Sequence, residues 1–87
     1  IIVQGDHGPG AYLQWDSAAK SNLPERLSIL NAYYFPENNY QSLYPDISPI
    51  NTFRVLFNTH FGGNFNLLED RSYFSTWGSF DFLDVTP

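Results

Sequence analysis

Asp6 and His7 stand side by side where an apolar, β-branched run, Ile1-Ile2-Val3, gives way to Gln4-Gly5, and Gly8-Pro9-Gly10 follows at once. A carboxylate oxygen beside an imidazole nitrogen is a donor pair suited to Zn, Mn or a similar divalent ion. Neighbours on a strand point to opposite faces, so the two side chains converge only if the backbone turns sharply. Gly5 and Gly8 are expected to permit that turn. The plainer alternative is a structural turn in which Asp6 caps the loop and His7 is an ordinary loop residue. A catalytic metal takes at least three protein ligands, so Asp6 and His7 need partners from elsewhere. The only other histidine, His60, is expected to be a partly buried residue near a helix C-terminus, where the dipole favours imidazolium. Asp81 and Asp84 are expected to be solvent-facing edge charges that discourage further strand pairing. No residue is singled out as catalytic.

The elements that must position Asp6 and His7 are legible as patterns. Ile1–Gln4 reads as a buried strand, and ligands of open α/β sheets collect beyond the carboxyl ends of such strands. Asp16-Ser17-Ala18-Ala19-Lys20 reads as a capped helical turn ended by Asn22-Leu23-Pro24. Leu27 to Phe35 is apolar on both faces, the pattern of a strand covered on both sides as in a parallel sheet. Glu37 to Asp46 reads as a surface loop. Ser48 and Pro49 are N-cap and first-turn residues for a helix over Ile50–Phe61, with Ile50, Phe53, Phe57 and Phe61 as its core stripe and Gly62-Gly63 as its stop. Tyr73–Trp77 and Phe80–Val85 flank Gly78-Ser79, a two-residue hairpin signal. The expected class is therefore α/β: a small sheet including parallel strands, with Ile1–Gln4 and Leu27–Phe35 as neighbours, a packed amphipathic helix and a C-terminal hairpin.

Composition narrows the functions. Eighty-seven residues allow one small domain. The net charge of −5 and the scatter of Lys20, Arg26, Arg54 and Arg71 argue against nucleic acid as a partner. There is no cysteine, which excludes a disulfide framework and a thiolate metal site. No apolar run approaches the ~20 residues of a membrane span. Aromatic residues make up 18% of the chain, more than so short a chain can readily cover, so an exposed Phe- and Tyr-rich patch or self-association through it is expected. The chain opens at Ile1 inside an expected strand, and residues 1–87 are read as a single partial domain of a longer protein.

The order of Asp6-His7-Gly8 after a strand, an Arg26-led apolar segment and a Ser48-Pro49 helix ending at Gly62 resembles the C-terminal part of the alkaline-phosphatase superfamily. Within it the chain is most similar to sulfatase-like proteins, including membrane-anchored phosphoglycerol transferases. The segment Leu67-Leu68-Glu69-Asp70-Arg71-Ser72-Tyr73-Phe74 resembles the ending of bacterial members of that group. The resemblance implies that Asp6 and His7 bind a divalent metal (Zn, Mn, Mg or Ca) in a hydrolase or transferase of small phosphate or sulfate esters. It also implies an extracytoplasmic domain of a bacterial membrane protein, with the remainder of the parent chain as partner and no turnover by these residues alone. The chain departs from the group in lacking a proline soon after Arg26 and a downstream histidine to serve as a further ligand. The family nucleophile lies in an upstream segment, and neither Ser17 nor Ser28 takes that role. Two other readings are an accessory or degenerate domain without chemistry, and a binding module with Tyr33, Tyr34, Tyr40 and Tyr44 lining a carbohydrate or protein surface.

Overall fold

A computed structural model describes residues 1–87, which divide into two compact units: Ile1–Tyr34 with Ser72–Pro87, and Phe35–Arg71. In the first unit, strand β1 (Ile2–Gln4) pairs with β2 (Asn31–Tyr33), Ile2 opposite Tyr33 and Gln4 opposite Asn31. The pairing is antiparallel, and so is that of β3 (Tyr73–Phe74) with β4 (Leu83–Asp84). The expected sheet with parallel strands is thus corrected to two separate two-stranded antiparallel sheets.

The reason lies between Gly5 and Leu30. The segment expected to be a helical turn at Asp16–Lys20 is a set of tight turns in which Ser17 Oγ accepts from the Lys20 amide at 3.2 Å. Asn22-Leu23-Pro24 begins a helix instead of ending one. In α1 (Leu23–Leu27) the Asn22 side chain accepts from the Glu25 amide at 3.2 Å, and Pro24 sits in the first turn, where its missing N–H costs nothing. This short helix reverses the chain, so residues 26–34 run back along residues 1–8. Backbone bonds from Gly8 N to Arg26 O (2.7 Å), Gly5 N to Leu30 O (2.8 Å) and Tyr34 N to Ile1 O (2.7 Å) continue the ladder beyond both strands. Residues 5–30 are long enough for a parallel crossover, but such a crossover would have to bring β2 back to the start of β1, whereas α1 turns the chain beside the end of β1. The two-sided apolar pattern at 27–35 does not produce a doubly covered strand: Leu27 belongs to α1, and Leu30 and Tyr34 are exposed.

The C-terminal pair is shorter than its sequence pattern, and residues 75–82 join its strands in place of a two-residue turn. A turn does form there, from Thr76 to Ser79, with the Ser79 amide bonding the Thr76 carbonyl at 3.1 Å. Gly78 adopts φ 76° in it, the left-handed conformation that a β-carbon disfavours.

The second unit is built on α2 (Pro49–His60), within one residue of the expected span at each end. Gly62, at φ 65°, lets the chain leave the helix, and the Gly63 amide returns to the Phe57 carbonyl at 2.9 Å. The buried face of α2 is Asn51, Thr52 and Val55, which corrects the expected core stripe. Ile50, Phe53, Phe57 and Phe61 remain 42–71% exposed. Their rings nevertheless touch in series, with centroids 6.2 Å apart for Phe53–Phe57, 5.8 Å for Phe57–Phe61 and 6.0 Å for Phe57–Phe65. Phe35 and Val55 are the only fully buried apolar residues of the chain. No helix is long and apolar enough to cross a membrane.

Candidate functional site

Asp6 and His7 lie in the bend that follows β1, and the fold explains why that bend has its shape. A β-carbon added to Gly8 would fall 2.1 Å from the Glu25 carbonyl oxygen and 2.6 Å from that of Ser28. Gly8 is therefore required by close approach to the end of α1, with no left-handed backbone involved. Gly5 is not under the same constraint, since a β-carbon there meets nothing nearer than 3.5 Å. The expectation that both glycines make the turn is corrected: one glycine is a packing requirement and the other is not.

The two side chains do converge. His7 Nε2 and Asp6 Oδ1 are 3.7 Å apart, with the side chains 55% and 91% exposed. Two donors bound at about 2.1 Å to one tetrahedral ion stand roughly 3.4 Å apart, so the observed spacing is near that of a shared ion. His7 Nδ1 lies 2.8 Å from the Gly8 carbonyl oxygen and 3.0 Å from Arg26 Nη1. Arg26 Nη1 also donates to that carbonyl, at 3.1 Å. Two arrangements satisfy these contacts: Nδ1–H donates to Gly8 O and leaves Nε2 its lone pair, or Arg26 donates to an Nδ1 lone pair and the proton sits on Nε2 beside Asp6. The first is the form a metal would take. No third carboxylate or imidazole joins the pair.

Arg26 was legible in the sequence only as the head of an apolar run. Its role here follows from α1, which opens at Asn22-Leu23-Pro24, a pattern that reads equally as a helix stop. The guanidinium carbon also sits 5.8 Å from the Trp15 ring centroid, and Trp15 meets Trp77 edge to face at 6.0 Å. Neither tryptophan stood out in the sequence, because the contact joins residues 62 positions apart in the chain.

Tyr44, Ser48, Asn51 and Asp70 of the second unit satisfy one another. Asp70 accepts from the Ser48 amide (2.8 Å), from the Ser48 hydroxyl, from Tyr44 Oη (2.5 Å) and from Asn51 Nδ2 (3.3 Å). Ser48 is the N-cap of α2, but its side chain makes no capping bond and turns to Asp70 instead. Burial alone would raise the Asp70 carboxyl. The bonds from Ser48, Tyr44 and Asn51 outweigh it and hold the group below its ordinary value of 3.8. Asn51 also bonds the Leu68 backbone in both directions, at 2.7 and 2.9 Å. Tyr40 Oη accepts from the Phe35 amide at 3.2 Å, so Tyr40 and Tyr44 serve the fold as internal partners. His60 packs edge-on against Phe35 at 4.7 Å, and its Nε2 is buried without a hydrogen-bond partner. Asp84 is used locally, accepting from the Thr86 amide and hydroxyl at 2.9 and 2.6 Å.

Compared with protein families, with characterised proteins and with solved structures, the chain matches none.

Proposed function

We propose that this chain is the C-terminal portion of a metal-dependent phosphate- or sulfate-ester hydrolase or transferase, with Asp6 and His7 as two of the metal ligands. One observation carries the reading: His7 Nε2 and the Asp6 carboxylate stand 3.7 Å apart in an exposed bend, while Gly8 and Arg26 engage His7 Nδ1 on the other side of the ring. A bound divalent ion there supplies charge to offset that developing on the ester oxygens. Asp6 contributes the negative charge of the site and His7 a neutral nitrogen. Gly8 and Arg26 fix the imidazole from behind, and a ring held in this way loses less freedom when it takes up a ligand.

Two donors fall short of a full coordination shell, so the remaining ligands and the nucleophile belong to the rest of the enzyme. The same reading supplies a partner for the exposed Phe53–Phe57–Phe61 face of α2, which the rest of the catalytic domain covers. The test is metal content and ester cleavage in the whole enzyme with Asp6→Ala or His7→Ala. Both should fall to background while the fold persists, because neither side chain is buried. Unchanged metal content and turnover would leave Asp6-His7-Gly8 a structural turn.

A further inference from the structure

Trp15 and Trp77 form an open corner in the first unit. Their ring planes stand at 81° with centroids 6.0 Å apart, and the Trp77 amide donates to the Trp15 carbonyl at 3.3 Å. Asp16 completes the lining of a shallow, open depression beside them. The two indoles meet edge to face, an ordinary geometry for aromatic pairs, but they do so at the surface with an exposed aspartate beside them. Trp77 is 80% exposed, so its ring contributes little to any core.

We propose that this corner binds a quaternary ammonium group. A trimethylammonium head carries its charge over a rounded methyl surface and has no N–H to satisfy. It is held by the negative faces of aromatic rings on more than one side and by a nearby counter-charge. Trp77 and Trp15 supply the two walls and Asp16 the counter-charge. Trp15 already accommodates one cation, the Arg26 guanidinium 5.8 Å from its centroid, and Arg26 is tied to the Gly8 carbonyl. The ligand therefore seats chiefly on the unencumbered Trp77 ring, with Trp15 as the second wall. A pyranose, by contrast, stacks its flat face on one ring and gains little from a second at right angles. The inference does not depend on metal binding at Asp6 and His7.

The chain contains only these two tryptophans, so its indole fluorescence reports on the corner alone. The experiment is a fluorescence titration of the 87-residue chain with choline, with its neutral isostere 3,3-dimethylbutan-1-ol, and with glucose, at constant ionic strength. Choline should give a saturable change with a Kd about tenfold below that of the neutral alcohol. Trp77→Ala should raise the choline Kd about tenfold, read by tetramethylammonium and choline line-broadening in proton NMR. Asp16→Asn should raise it about threefold, and unchanged far-ultraviolet circular dichroism should show both variants folded. Equal affinity for choline and the alcohol, saturation by glucose in preference to choline, or no saturable response to choline overturns the proposal.

Discussion

The two units use the same residue types in opposite ways. Asp70 in the second unit receives bonds from three side chains and one backbone amide, and the Asn51 beside it is fully buried and bonded on both its oxygen and its nitrogen. Asp6 in the first unit is 91% exposed and faces only His7. The histidines divide similarly: the His60 ring is packed on Phe35, and the His7 ring is anchored at one nitrogen with the other open. A carboxylate whose acceptor capacity is filled by its own chain has none left for a ligand, whereas an exposed pair fixed in position does. The polar cluster around Asp70 is thus closed on itself, and the bend at Asp6 and His7 presents an open carboxylate–imidazole pair.

Substitutions that exchange these roles should separate the units. The largest effect is expected at Gly8. Gly8→Ala forces a β-carbon onto three backbone carbonyls of residues 25, 26 and 28, and should destabilise by about 3 kcal/mol in urea unfolding. Gly5→Ala, with ordinary contacts, should change stability by less than about 1 kcal/mol. Asp70→Ala should cost about 2 kcal/mol, because it strands donors at the start of α2.

The same carboxylate sets an acid limit. Its folded value lies below the unfolded one, so its stabilisation is complete above about pH 3.9 and is lost as pH falls through the lower folded value. Asp70→Asn should flatten that part of the stability–pH curve. The smallest effect is expected on the aromatic face of α2. Phe57→Ala, at a half-exposed ring, should cost less than about 1 kcal/mol in this chain, and Val55→Ala, though it removes fewer atoms, about 2 kcal/mol. A larger loss at Phe57 than at Val55 would mean that self-association already covers the aromatic face.

The sequence made α2 legible because Ser48-Pro49 and Gly62-Gly63 bracket it with local chemistry that depends on no distant contact. Strand β1 and the position of Asp6 and His7 after it were legible too, but the expected burial of Ile1–Gln4 is corrected: Ile1 and Val3 are exposed, because β1 has a single antiparallel partner and no layer over that face. Which face of α2 is buried was not. Hydrophobic periodicity marked the phenylalanines, but the polar side chains of Tyr44, Ser48, Asn51 and Asp70, with the Leu68 backbone, assemble from three stretches of chain and claim the opposite face. The direction of β2 was hidden too, since an apolar run specifies burial and not strand polarity. Asn22-Leu23-Pro24 can open a helix as well as close one, and reading it as a stop removed α1, the reversal, and with them Arg26 from the site.

The claim that Asp6 and His7 form a divalent-metal half-site is tested most directly by the two histidines of the chain, one in each unit. Substoichiometric Mn²⁺, followed by proton NMR at neutral pH, should broaden the His7 ring resonances and leave those of His60 sharp. Asp6→Ala should abolish the difference. Broadening of neither ring, equal broadening of both, or His7 broadening that survives Asp6→Ala would contradict the account.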